Sequence, residues 1–286
     1  MDILRGRIMR ILLLLALLLV IARWRVKEMF YYPDSLVYDT PASHGLKYEP
    51  VRFASRDGTR LSGWFIPAVG TPKGTVIHFH GNAQNMTAHF AFVSWLPVAG
   101  FNLFVFDYQG YGESEGTPNR RGVYEDSQAA LQYVRSRRDI DPAKLFTLGQ
   151  SLGGAVSIVV VGDGDKQGIR AVVADSAFFS YQSIVRDVIG TMPLLAFVKS
   201  PLSKLLIGND LSPADYIGRI APIPILLIHG SADQVVPFQH GTWLMERAGQ
   251  PKTYWRIEGG NHTEALLSPD SPYRRRLTDF LEAALR

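Results

Sequence analysis

The chain of 286 residues contains no cysteine, which excludes disulfide bonds and zinc sites built from thiolates. Charged residues make up only 20% of the sequence and the formal net charge is +4, so no basic tract of the kind that binds nucleic acid stands out. The sequence also lacks internal repeats, a phosphate-binding loop and a His-Glu-x-x-His pattern. We therefore expect no cofactor, no metal ion and no nucleic-acid partner.

Long hydrophobic runs are scarce, and the most extended one covers residues 11–22. It is shorter than the about 20 residues that a transmembrane helix needs. Arg10 precedes it and a basic cluster at residues 23–27 follows, a context that is poor for signal-peptide cleavage but suits basic side chains that reach lipid phosphates. We interpret residues 1–28 as an uncleaved membrane anchor, with a cleaved signal segment as the alternative.

Residues 29–286 alternate short apolar runs with helix-like segments, and their length suits one domain rather than two. Strands are predicted at residues 51–54, 61–67, 75–80, 102–107, 144–148, 171–175, 223–229 and 253–258. Helices are predicted at residues 86–96, 122–138, 152–161, 239–248 and 273–285. After a first hairpin at Asp57-Gly58, the alternation is typical of a parallel sheet with helices on both faces, which binds ligands beyond the carboxyl ends of its strands.

Two segments have the pattern Gly-x-Ser-x-Gly, centred on Ser114 and Ser151. A strand-like run precedes Ser151 and an apolar helix-like run follows it, which predicts a sharp turn that exposes the serine at the carboxyl edge of the sheet. Ser114 has no strand directly before it, and the glutamates on both sides of it would repel a developing oxyanion. We interpret Ser151 as a nucleophile and Ser114 as a polar loop residue.

A serine nucleophile needs a base that takes its proton, and three histidines follow Ser151 in the chain. His262 lies in a flexible glycine-containing loop after a predicted strand, so we expect it to be the base. His229 ends an apolar run and is interpreted as a buried strand-end residue. His240 opens a predicted helix and is interpreted as a solvated residue.

The base in turn needs a carboxylate that orients it and backbone donors that stabilise the oxyanion. Asp233, in the loop after the strand at 223–229, is the predicted acid, and Asp175, at the end of an earlier strand, is a rival interpreted as a bracing residue. The N–H groups of Leu152 and Asn82 are the predicted oxyanion donors. Gly81 lets the backbone turn so that the N–H of Asn82 points into the site, with the N–H of Ala83 as the alternative.

The motifs that carry a family resemblance are HGNA at residues 80–83, DYQGYGESEGTP at 107–118, GQSLGG at 149–154, HGSAD at 229–233 and FYYP at 30–33. With them, the chain resembles the YfhR-type bacterial α/β-hydrolases, single-anchor membrane proteins related to eukaryotic α/β-hydrolase-domain proteins. The resemblance covers about residues 29–286. One departure is Gln109, where many relatives have arginine, and it concerns the packing of that loop rather than the chemistry.

The resemblance implies an eight-stranded, mostly parallel sheet with helices on both faces and a Ser-Asp-His triad at Ser151, Asp233 and His262. Some eukaryotic relatives remove fatty acyl groups from protein cysteines. The resemblance also implies a bacterial inner-membrane location, and we favour the extracytoplasmic side because large C-terminal domains translocate regardless of flanking charge.

The stretch between the strands at 171–175 and 223–229 is longer than a simple crossover needs, and it is rich in apolar residues. It predicts a short helical cap at about 177–215 that forms an acyl-binding wall, with plain core packing as the alternative. We predict a serine hydrolase that cleaves carboxylic ester or thioester bonds of acyl or lipid-like substrates through an acyl-enzyme. The alternatives are a serine peptidase and a non-catalytic scaffold with the same fold.

Overall fold

The structure, a computed structural model, describes residues 2–286, so residue 1 of the predicted anchor lies outside the described residues. The strands are β1 (Tyr32–Pro33), β2 (Glu49–Ala54), β3 (Arg60–Ile66), β4 (Thr75–Phe79), β5 (Ala83–Gln84), β6 (Asn102–Phe106), β7 (Leu145–Gln150), β8 (Ile169–Asp175), β9 (Ile225–Gly230) and β10 (Lys252–Ile257). The α-helices are α1 (Asp2–Glu28), α2 (Met86–His89), α3 (Arg120–Ser136), α4 (Leu152–Asp163), α5 (Tyr181–Gly190), α6 (Lys199–Leu206), α7 (Gln239–Arg247) and α8 (Pro272–Ala283). Short 3₁₀ helices lie at Pro41–His44, Phe90–Phe92, Ala196–Val198, Pro213–Asp215, Ile217–Arg219 and Glu264–Leu266.

Eight strands form the main sheet in the order β10-β9-β8-β7-β4-β6-β3-β2. Strand β3 pairs antiparallel with both of its neighbours, and the other neighbouring strands pair in parallel. The predicted α/β-hydrolase fold with a mostly parallel eight-stranded sheet is confirmed. In this arrangement the loops after β4, β7, β8, β9 and β10 meet at one edge of the sheet, because parallel strands share the same carboxyl end.

The two faces of the sheet are covered by different helices. Phe104 and Phe106 of β6 belong to a cluster that includes residues of α3 and α4, whereas Leu103 and Val105 belong to a cluster that includes residues of α8. Successive side chains of a strand point to opposite faces, so a strand between two helical layers is apolar at every position. This is why β6 is buried throughout.

Helix α5 and Phe179 before it are joined to α7 through His240, in the first turn of α7. The N–H of Phe179 donates to Nδ1 of His240 at 2.9 Å, so Nε2 carries the proton and donates to Oδ2 of Asp187 at 2.9 Å. The imidazole is fully buried, and this burial lowers the pKa of His240. The prediction of a solvated His240 is therefore wrong, because Phe179 and helix α5 cover the residue.

Helix α1 contains the apolar run that predicts a membrane anchor. Within residues 2–286, no helix combines the length and the apolar character needed to cross a bilayer. The transmembrane interpretation of this segment is thus not supported. The helix is linked to α6 by Nε of Arg23, which donates to the carbonyl oxygen of Leu205 at 2.8 Å.

Candidate active site

Ser151 occupies the turn between β7 and α4 in a strained backbone conformation, with φ +53° and ψ −115°. Non-glycine residues adopt such conformations rarely, and they do so mainly at functional sites. A side chain at position 149 would collide with the carbonyl oxygen of Gly153, and one at position 153 would collide with the carbonyl oxygen of Phe79. The flanking glycines are therefore required by the close approach of the backbone on both sides of the serine.

The predicted acid and base are in direct contact. Nδ1 of His262 lies 2.7 Å from Oδ2 of Asp233, and Oδ1 of Asp233 accepts the N–H groups of Val235 at 2.9 Å and Val236 at 2.8 Å. Burial alone would raise the pKa of Asp233, but hydrogen bonds from His229 and His262 hold it well below its usual range. The carboxylate therefore stays ionised, and its proton donor is Nδ1 of His262.

This contact fixes the tautomer of His262, because a proton on Nδ1 leaves the lone pair on Nε2. Among residues 2–286, Nε2 of His262 has no hydrogen-bond partner. The N–H of Ser151 donates to the carbonyl oxygen of Asp175 at 2.8 Å, and the N–H of Thr263 donates to Oγ of Ser176 at 3.1 Å. The predicted nucleophile and the residue after the predicted base are thus both hydrogen-bonded to the Asp175-Ser176 dipeptide at the end of β8.

The two predicted oxyanion donors are Leu152, at the start of α4, and Asn82, in the loop after β4. In the part of the chain that the structure describes, neither the N–H of Asn82 nor that of Leu152 donates to a protein acceptor. Leu152 is the first residue of α4, where backbone N–H groups have no acceptor within the helix and the helix dipole favours negative charge. Because Gly153 packs against the end of β4, the loop that carries Asn82 adjoins the first turn of α4.

The residues that compete with the predicted triad in the sequence, which are Asp175, Ser114 and His229, are buried in the structure. Asp175 is fully buried, and burial raises its pKa to about 6. Its Oδ1 accepts from the Ser176 hydroxyl at 3.2 Å, while Oδ2 has no partner among the described residues. The Ser114 hydroxyl accepts the N–H of Ser62 at 2.9 Å and donates to the carbonyl oxygen of Asp107 at 2.8 Å, so it braces a loop. His229 is buried at the end of β9, as its position predicts.

Several polar residues beneath the site carry no signal in the sequence motifs. Nε2 of His78 lies 3.0 Å from Oε1 of Gln150, and burial lowers the pKa of His78 to about 3, so this imidazole is neutral at physiological pH. His89 follows the loop of Asn82 and is half-buried, and desolvation lowers its pKa. The described residues include no group of histidine, aspartate and glutamate side chains that could hold a metal ion.

We expect the Asp107→Asn variant to lose part of the pH dependence of folding stability. Burial raises the pKa of Asp107 to about 7, above its unfolded value, so the native state binds the extra proton between about pH 4 and pH 7. Its contribution to stability is present at low pH and is lost as the pH rises through 7. Between pH 5 and pH 8, the variant should gain on the order of 2 kcal/mol relative to wild type.

Urea unfolding of both proteins at several pH values measures this difference. The exposed Asp279 provides the control, because Asp279→Asn removes a carboxylate that is not buried and should leave the slope unchanged. An Asp107→Asn variant whose stability follows the wild-type pH curve in parallel would contradict the assignment.

Comparisons with known proteins give the family of this chain. A family model described as serine aminopeptidase, S33, matches residues 70–217. The uncharacterized protein YfhR of Escherichia coli K12 is 43% identical over 263 residues, which cover 90% of this chain and 88% of YfhR. The chain belongs to the YfhR family.

More distant relatives of the YfhR family extend the comparison. WAV2 of Arabidopsis thaliana, an α/β-hydrolase domain-containing protein, is 34% identical over 257 residues, covering 85% of this chain and 81% of WAV2. An esterase from Pyrococcus furiosus superposes with a TM-score of 0.72 at 24% identity, covering 90% of this chain and 98% of the esterase. At this identity the esterase establishes the fold alone. The chain is therefore a hydrolase-family member with the α/β-hydrolase fold.

Proposed function

We propose that the protein is a serine hydrolase that cleaves carboxylic ester or thioester bonds through a covalent acyl-enzyme. The observation that carries the proposal is the pair formed by His262 and Asp233, with 2.7 Å between Nδ1 and Oδ2. It leaves Nε2 of His262 as a free base at the same edge of the sheet as Ser151. The scaffold alternative has no comparable support, because a scaffold has no need of an imidazole held by a carboxylate at the same edge of the sheet as a strained serine.

In the proposed reaction, Oγ of Ser151 attacks the carbonyl carbon and its proton passes to Nε2 of His262. Asp233 holds the imidazole in the required tautomer and stabilises the imidazolium that forms. The N–H groups of Asn82 and Leu152 donate to the oxyanion. Each donor of this kind lowers the activation barrier by about 3–4 kcal/mol. His262 then protonates the leaving alcohol or thiol, and water releases the acyl group by the same route.

The same proposal includes acyl or lipid-like substrates and a membrane association of the N-terminal segment. Its support is the apolar surface of α1, where side chains such as Leu13 and Leu17 are more than half exposed between two basic flanks. We also propose that residues 1–28 form a separate N-terminal segment and that residues 177–215 form the cap of the 29–286 hydrolase domain. The Arg23–Leu205 hydrogen bond joins these two parts.

A peptidase activity is the second candidate, favoured by the matching family model, which is described as a serine aminopeptidase. The same residues would cleave an amide bond, with His262 protonating the leaving amine. Assays with aminoacyl p-nitroanilides beside p-nitrophenyl esters and acyl thioesters separate the candidates. We expect hydrolysis of the esters or thioesters, and a preference for the anilides would replace the proposal with the peptidase.

Labelling by a fluorophosphonate tests whether the protein is a catalyst. We expect one adduct per chain, because the probe phosphorylates only a serine that a neighbouring base activates. Mass spectrometry of the digested protein assigns the adduct, and both Gly-x-Ser-x-Gly serines serve as internal alternatives. An adduct on Ser151 is expected, whereas an adduct on Ser114, or no adduct at all, contradicts the proposed function.

A further inference from the structure

In the loop that follows β4, hydrogen bonds hold five successive backbone carbonyl groups. Each carbonyl from His80 to Gln84 accepts a hydrogen bond from outside the loop or from the ring of His80. The donors are the Tyr108 hydroxyl to His80 at 3.1 Å, His80 Nδ1 to Gly81 at 2.8 Å, the Tyr32 N–H and the Tyr111 hydroxyl to Asn82, both at 2.8 Å, His89 Nε2 to Ala83 at 3.1 Å, and the Asp34 N–H to Gln84 at 3.1 Å.

These bonds also determine where the N–H groups of the loop point. A trans peptide is planar, so the N–H of one residue is antiparallel to the carbonyl of the residue before it. With the Gly81 carbonyl directed at the ring of His80, the N–H of Asn82 points away from that ring. The Asn82 carbonyl, which shares a peptide with the N–H of Ala83, is held as well, so the peptides on both sides of Asn82 are fixed.

The Asn82 carbonyl is the only one of the five with two donors among the described residues. One is the hydroxyl of Tyr111, a fully buried side chain whose ring centroid lies 5.0 Å from that of His80. The other is the N–H of Tyr32 in β1, which pairs in parallel with β5 directly after Asn82. Strand β1 begins soon after the end of α1 at Glu28.

We propose that Tyr111 and the backbone N–H of Tyr32 are positioning groups for the oxyanion hole. They act through the carbonyl of Asn82 and do not touch the substrate. The inference rests on the proposed function, because a preorganised donor accelerates a reaction only where negative charge develops in the transition state. It gives a role to two motifs of the sequence, FYYP at 30–33 and DYQGYG at 107–112, that the triad does not use.

The Tyr111→Phe variant tests the hydroxyl and keeps the ring that packs in the core. We expect kcat for a p-nitrophenyl ester to fall about tenfold with KM unchanged, a smaller effect than the about 100-fold or larger loss on removing an oxyanion donor itself. A trifluoromethyl ketone, which becomes an oxyanion on addition of Ser151, should bind about tenfold more weakly. A purely structural role would lower the melting temperature without this selective loss in kcat and inhibitor affinity.

Tyr124→Phe is the matched control, because its hydroxyl donates to Asp163 at 2.8 Å, away from the loop. It should keep the wild-type kcat. Tyr111→Phe with wild-type kcat and wild-type ketone affinity overturns the inference while leaving Ser151 as the labelled nucleophile. A wild-type protein that neither turns over esters nor labels at Ser151 instead overturns the proposed function, and this inference with it.

A second variant carries the test if Tyr111→Phe does not fold. Tyr32→Pro removes the other donor at a position whose side chain is exposed, so the core stays intact. Its control is Val37→Pro, which places proline in the same extended segment at an exposed residue whose N–H donates to no described acceptor. We expect a selective loss in kcat for Tyr32→Pro alone, and equal activity of the two variants contradicts the inference.

Discussion

Replacement of Ser151 by alanine is expected to lower kcat for a p-nitrophenyl ester by about 10⁶-fold, the size of effect seen when the nucleophile of a comparable triad is removed. The reason is that alanine offers no atom to attack the carbonyl, whatever the state of His262. Residual turnover would come from the oxyanion donors and from substrate binding alone. Initial rates measured at saturating ester, together with fluorophosphonate labelling, quantify the loss.

Ser114→Ala is the matched control for this change, because the two serines share the same local pattern of glycines. Removal of the Ser114 hydroxyl breaks its bonds to Ser62 and Asp107, so some loss of stability is expected. The folded fraction should nevertheless keep kcat close to that of wild type. If Ser151→Ala retained turnover while Ser114→Ala lost it, the assignment of the nucleophile would be reversed.

The strands of the sheet could be predicted because a strand that is buried on both faces consists mostly of apolar residues. Strands β7 and β9 are buried at all of their positions, and both are mostly apolar, so the sequence indicates two buried strands between loops. The turn at Ser151 could be predicted because its glycines, the strand before it and the helix after it are neighbours in sequence. Local patterns of this kind need no knowledge of distant contacts.

The sequence predictions fail for residues whose partners lie far away in the sequence. His240 was misinterpreted because its partners Phe179 and Asp187 lie 61 and 53 positions earlier in the chain. The hydroxyl of Tyr111 on the Asn82 carbonyl spans 29 positions and follows no periodic pattern. Side-chain hydrogen bonds across such distances depend on tertiary packing, which the sequence of either segment alone does not specify.

The helix predicted at 86–96 illustrates a different limit. It is a short α-helix over Met86–His89 that continues as a 3₁₀ turn at Phe90–Phe92. The N–H of Leu96 donates to the carbonyl oxygen of Val93 at 3.0 Å, and the indole N–H of Trp95 donates to the carbonyl oxygen of Phe92 at 2.9 Å. A side-chain donor thus satisfies a carbonyl that a longer helix would have used, and the residue pattern alone does not reveal this competition.

Replacement of Asp233 by asparagine is expected to lower kcat by about 10⁴-fold, as found for the equivalent change in a serine protease triad. In the structure, Oδ2 of Asp233 faces Nδ1 of His262 at 2.7 Å, and Oδ1 accepts two backbone N–H groups. Because those N–H groups keep the oxygen of an asparagine on their side, its NH₂ group would face Nδ1. The imidazole would then carry its proton on Nε2 and could not act as the base.

Asp175→Asn distinguishes this mechanism from the rival in which the earlier strand supplies the acid. Its carboxyl group has a pKa raised to about 6 by burial and makes no hydrogen bond to His262, so neutralising it removes no orienting contact. We expect the variant to keep kcat within about tenfold of wild type, since its effect acts only through packing at the end of β8. Steady-state kinetics of both variants at pH 8 decide between the carboxylates. A large loss for Asp175→Asn combined with near-normal turnover for Asp233→Asn would assign the orienting role to Asp175, and the contact between Asp233 and His262 would then be structural.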